Sequence, residues 1–64
     1  MSVSSREIIK KLEKAGWYEV AHEGSHKQFK HADRPGRVTV AHPVKDMKIK
    51  TLRSIEQQSG VKIR

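Results

Sequence analysis

The stretch WYEVAHEGSHKQFKHADRPGRVTVA, residues 17–41, decides the fold. It reads as three short extended runs separated by turn chemistry. Residues 17–22 are rich in aromatic and β-branched side chains, and Glu23-Gly24-Ser25 breaks the run. Residues 26–31 form the second run, and Ala32-Asp33-Arg34-Pro35-Gly36 turns the chain again. The third run is residues 37–41, ended by Pro43, which cannot donate to a strand ladder. Connections this short join neighbouring antiparallel strands, so the reading is a meander. Alternation assigns the faces. Phe29 points to the core with Lys27 and His31 on its parity, while His26, Gln28 and Lys30 take the other face. On the third run Val38 and Val40 point inward, leaving Arg37, Thr39 and Ala41 outward.

A helix is expected on either side of this meander. Ser4 and Glu7 have the spacing of a capping box, with Val3 and Ile8 placed as its hydrophobic staple. Ile8, Ile9, Leu12 and Ala15 recur at helical spacing, which leaves Arg6, Lys10, Lys11, Glu13 and Lys14 mostly toward water. Gly16 is the expected stop, and Trp17 folds back on the last turn. Beyond Pro43, Ile49, Leu52, Ile55 and Ser59 mark the buried stripe of a second helix, with Lys48, Lys50, Arg53 and Gln57 polar. Asp46 or Thr51 is the expected cap at its start, and Gly60 its stop, with Val61 packing back. The order helix, three strands, helix, with both helices on one face of an antiparallel sheet, is an α+β sandwich of two layers.

Sixty-four residues, 34% of them hydrophobic and three aromatic, allow one domain, residues 1–64, with a thin core and no deep cofactor cavity. Cysteine is absent, so neither a disulfide nor a thiolate zinc site can brace it. No apolar run approaches a membrane span and the start of the chain lacks a signal-peptide core, which leads us to expect a cytoplasmic protein. The formal net charge is +7, and residues 25–53 hold eight lysines and arginines against two aspartates, a net +6. Charge concentrated in this way attracts a polyanion such as nucleic acid, although solubility alone would account for a similar excess in a small domain.

Four histidines raise the question of a metal, but His22, His26, His31 and His42 lack the paired spacing of zinc ligands, and no carboxylate cluster offers a magnesium site. Neither a metal nor another cofactor is expected. His26 stands apart because it follows the Gly24-Ser25 turn at the start of a strand, on the face opposite Phe29. Glycine there lets a backbone or phosphate come close. An imidazole can take the proton of a ribose 2′-hydroxyl or return one to a leaving oxygen, while nearby cations stabilise the charge on phosphate. Ser25 is read as shaping the turn or touching phosphate, and Lys27, Lys30, Arg37 and Lys45 as phosphate-binding. Trp17 and Phe29 suit the core better than base stacking. For His42 two readings stand, a part in binding at the sheet edge and a structural or solvent-facing place, of which the second is favoured.

Gly24-Ser25-His26-Lys27-Gln28-Phe29 resembles the signature of the HicA toxins, whose glycine-hydroxyl-histidine motif carries a catalytic histidine. The resemblance continues through Ala15-Gly16-Trp17, Val38-Thr39-Val40, His42, Lys45-Asp46 and Thr51-Leu52-Arg53-Ser54-Ile55, so it covers nearly the whole chain. Two departures fall at the strand-to-helix corner. Lys50 stands before Thr51 where the family commonly has glycine, and Ala41-His42-Pro43 replaces a proline-led turn. The resemblance implies a fold similar to a double-stranded-RNA-binding domain and an endoribonuclease that cleaves mRNA with His26 as catalytic residue. It also implies a HicB-like antitoxin that covers His26. The alternative from a different class is a noncatalytic RNA-binding module of the same fold, using the basic sheet and Lys48, Lys50 and Arg53.

Overall fold

At the start of the first helix the Ser4 hydroxyl accepts from the Glu7 N–H at 3.2 Å, closing one half of the expected capping box. A computed structural model describes residues 3–63; the expected domain bounds and the start of the chain include residues 1, 2 and 64, which lie outside the described residues. Helix α1 runs Ser5–Lys14, with Ala15 as its C-cap and Gly16 at φ +99° beyond it. Strands β1 (Trp17–Glu23), β2 (His26–His31) and β3 (Arg34–Ala41) follow, and helix α2 spans Ile49–Ser59. The sheet is antiparallel in the order β1-β2-β3. This is the expected α-β-β-β-α arrangement, consistent with the double-stranded-RNA-binding-like fold.

The core lies between the sheet and the two helices. Phe29 pairs with Val38 in register, and both are buried with Val40 and Trp17. Ile8 and Leu12 of α1 and Leu52 and Ile55 of α2 close over them. Burying apolar side chains from three strands and two helices in one layer is what gives so short a chain a fold. Met47 and Ile63 complete that layer from outside any helix or strand. Ile63 is held there by its N–H donating to Glu56 Oε2 at 2.8 Å and by Lys11 Nζ donating to its carbonyl at 2.6 Å.

Five details differ from the expectation. β3 begins at Arg34, not at residue 37, because the turn closes within Ala32 and Asp33 and the register with β2 is irregular between Phe29 and His31. Pro35 is tolerated there because β3 is an edge strand, where a missing N–H leaves no ladder bond unmade. Neither Asp46 nor Thr51 caps α2; Lys48 holds the cap position and makes no side-chain cap bond. The approach to the helix is set instead by the Met47 N–H, which donates to the Val3 carbonyl at 2.8 Å. Ile49 is exposed, since the first residue of α2 lies beyond the layer that Met47 fills, and Ala15 at the end of α1 is exposed as well. β1 carries an irregularity between Glu19 and Ala21, which the alternation of its residues did not announce.

Candidate nucleic-acid interface

His26 is the first residue of β2, paired with Glu23 on one side and Ala41 on the other, and its side chain is exposed. The turn before it depends on Gly24, whose φ of +56° lies in the left-handed region. Nothing lies within 4 Å of where a Cβ would stand at Gly24, so the turn before His26 is open on that side. Among the described residues no hydrogen bond holds the His26 ring, and both its nitrogens are available to a ligand. His31 is the contrast. Its Nε2–H donates to the Ala15 carbonyl at 2.8 Å, its Nδ1 accepts from the Asp33 N–H at 3.0 Å, and its ring lies 5.3 Å from that of Trp17. It is a structural histidine that joins the end of α1 to the β2–β3 turn.

The cations anticipated around His26 fall into two groups. Lys30 and Arg37 share the open face of the sheet with His26, as their strand parity required. Arg37 Nη1 donates to Gln28 Oε1 at 2.7 Å, which anchors the guanidinium two residues along the strand from His26. Lys30 lies four residues along, roughly 13 Å at the rise of a β-strand. Gly24 and Ser25 adjoin His26 in the turn. Lys27, by contrast, is on the helix-facing side, where its Nζ lies 3.2 Å from Glu19 Oε1. Lys45 is on the loop after β3, away from the open face.

Lys27 and Lys45 instead border two adjoining hollows on the helix side. One, of about 320 Å³, is lined by Arg6, Ile9, Lys10, Glu13, Lys27 and His42. The other, of about 380 Å³, is lined by Ser4, Ser5, Arg6, His42, Pro43, Val44 and Lys45. Both include Arg6 and His42. The His42 ring is tied down: its Nδ1 lies 2.8 Å from Ser5 Oγ, and the Ser5 hydroxyl also accepts from the Val44 N–H at 2.9 Å. The His42 N–H donates to the Ser25 carbonyl at 2.7 Å, so the backbone of His42 is bonded beside His26. Helical spacing alone leaves Arg6 and Lys10 mostly toward water, on a helix outside the basic segment. Residues 6, 9, 10 and 13 do form one stripe at helical spacing, but the strand that they face is not written in that spacing. Among the described residues, no group of three or more His, Asp or Glu side chains is placed to hold a metal ion, and no helix is long and apolar enough to cross a membrane.

A small basic sandwich of two helices on one face of a three-stranded sheet, with an unrestrained imidazole at the end of its central strand, defines the class of protein in hand. A family model described as the HicA toxin of bacterial toxin-antitoxin matches residues 5–61. Among solved structures, the HicA3 and HicB3 toxin-antitoxin complex contains a chain 30% identical to this one with a TM-score of 0.78, the match covering 97% of this chain and 100% of that one. A comparison with curated proteins found no match. The chain belongs to the HicA toxin family.

Proposed function

We propose that this toxin is an endoribonuclease that cleaves mRNA in the cytoplasm, with His26 as its catalytic residue. The observation that carries the reading is the exposed, unrestrained His26 ring beside the open Gly24 turn, in a chain of this family. In the proposed reaction His26 takes the proton of a ribose 2′-hydroxyl as that oxygen attacks the adjacent phosphorus. The 5′-oxygen leaves with a proton supplied by His26 acting in turn as general acid, or by water, giving a 2′,3′-cyclic phosphate and a 5′-hydroxyl. Arg37 and Lys30 on the same face hold phosphates of the strand, and Gly24 and Ser25 admit the scissile group. The mechanism uses no metal, as the charge on phosphate is met by lysine and arginine. We further propose a HicB-like antitoxin as the partner of this chain, laid over the face that carries His26, Gln28 and Lys30. The toxin-antitoxin complex of the similar chain supports that pairing.

The test is incubation of purified protein with labelled RNA. Wild type should give discrete fragments, with or without a chelator, and a 2′-deoxy substitution at the scissile position should stop the cut. His26→Ala should lower the rate by about 10²–10⁴-fold while keeping a native-like thermal transition. A well-folded His26→Ala variant that cuts at the normal rate would refute the assignment, and binding without any cleavage by wild type would establish the noncatalytic alternative.

A further inference from the structure

We propose that the hollow between α1 and the adjoining ends of β2 and β3 is a phosphodiester-binding site, in which His42 donates through Nε2–H and Arg6, Lys10 and Lys27 supply the charge. That its ligand is RNA rests on the function proposed above; the anion site itself does not.

Ser5 is the most buried polar residue of the described chain, at 1% exposed. Its oxygen accepts from the Val44 N–H, and among the described residues the one acceptor within reach of its hydroxyl proton is His42 Nδ1. A buried hydroxyl proton left without an acceptor is costly, so Ser5 donates and Nδ1 accepts. The proton of the neutral ring is therefore on Nε2, at the side turned away from Ser5, and His42 is a residue common to the lining of both hollows. With Nδ1 occupied, His42 is a hydrogen-bond donor of fixed tautomer. That suits the non-bridging oxygen of a phosphate and does not suit a general base, which is the work assigned to the untethered His26.

The lining agrees. Arg6 and Lys10 are exposed on α1, and Lys27 approaches from β2. Glu13 is the one carboxylate in the lining, and Glu19 is paired with Lys27 from outside it. Three cations and a neutral donor, against Glu13 and the Glu19 that pairs with Lys27, leave the excess positive and favour an anion. At about 320 Å³ the hollow is at the small end of ligand sites, which run roughly 300–1,000 Å³, and admits a phosphate rather than a large organic molecule. Since the His42 N–H is bonded to the Ser25 carbonyl, the hollow adjoins the turn before His26. A strand cut at His26 can seat a neighbouring phosphate there without leaving the protein surface.

The experiment is long-range ¹H–¹⁵N NMR of the histidine rings in wild-type protein, titrated with inorganic phosphate and separately with a fully 2′-deoxy oligonucleotide that cannot be cut by 2′-hydroxyl attack. The expected result is an Nε2–H tautomer for His42 in the free protein and a saturable shift of its Nε2 with both probes. Arg6→Gln and Lys10→Gln should each weaken oligonucleotide binding and flatten its salt dependence by about 0.7 in log–log slope. Lys14→Gln, on the same helix but outside the hollow, should not. His42→Gln, which keeps an N–H at the ε position, should retain more binding than His42→Leu. A His42 ring that is an Nδ1–H tautomer, or that stays unmoved while the oligonucleotide shifts His26, overturns the proposal and leaves the nuclease reading standing. The proposal fails equally if an oligo-aspartate peptide shifts His42 and the oligonucleotide does not, since the hollow would then be a protein contact. A His42 that responds as expected in a protein that cuts no RNA would uphold the site and remove the nuclease reading instead.

Discussion

Gly16 and Gly24 both take a positive φ, +99° and +56°, yet alanine at the two positions should have unequal consequences. A left-handed conformation costs a residue with a Cβ roughly 1–2 kcal/mol. The narrower unfolded ensemble of alanine offsets about 0.4–1 kcal/mol of that. At Gly24 the new methyl meets nothing within 4 Å, so the net loss should be about 1 kcal/mol. At Gly16 it would stand 2.7 Å from His31 Nε2. That ring cannot simply step aside, because both its nitrogens are bonded and it packs on Trp17. Displacing it sacrifices two hydrogen bonds worth about 0.5–1.5 kcal/mol each, which brings the total to about 2–4 kcal/mol. In a domain of this size 1 kcal/mol moves Tm by about 4–8 °C. Thermal unfolding followed by circular dichroism should therefore show Gly24→Ala down by about 4–8 °C and Gly16→Ala by at least twice as much. In a His31→Ala background the Gly16→Ala penalty should shrink toward that at Gly24, the coupling expected of groups in contact. Equal penalties at the two glycines, or a Gly16 penalty untouched by removal of His31, would refute the reasoning.

Phe29 is fully buried at the centre of the sheet, and its replacement by alanine costs about 3–5 kcal/mol. A core this small supplies rarely more than about 3–5 kcal/mol, so Phe29→Ala should be unfolded by far-ultraviolet circular dichroism; a cooperative transition would contradict this. In a His26→Ala background, Lys30→Gln and Arg37→Gln should each flatten the log–log salt dependence of RNA binding by about 0.7, and an equal effect from Lys14→Gln would mean diffuse attraction. In complex with a HicB-like antitoxin, amides of residues 24–31 should be protected from exchange; neutralisation with that segment exchanging freely would rule out occlusion of His26.

The sequence by itself determined the element order, the core of the sheet and the position of the proposed catalytic residue, because each is a local or periodic signal. Alternation placed Phe29, Val38 and Val40 inward and His26 outward, and Ser4 with Glu7 marked the start of α1, where a side chain meets a backbone three residues on. The motif Gly24-Ser25-His26 was legible for the same reason, being contiguous. What only the tertiary structure decided involves residues far apart in the chain. Ser5 reaches His42 across thirty-seven positions, and Lys11 reaches Ile63 across fifty-two. No periodicity encodes such a meeting, since it depends on how α1 lies across the sheet. Met47 and Ile63 are buried from segments with no regular spacing, so only packing reveals them. The same holds for the basic residues. Charge along the chain drew Lys27, Lys30, Arg37 and Lys45 into one group and left out Arg6 and Lys10. The two faces of the sheet divide that group, and the crossing of α1 brings Arg6 and Lys10 to Lys27. A count of charges says how strongly a polyanion is attracted, whereas the surface on which it lies is set by long-range packing.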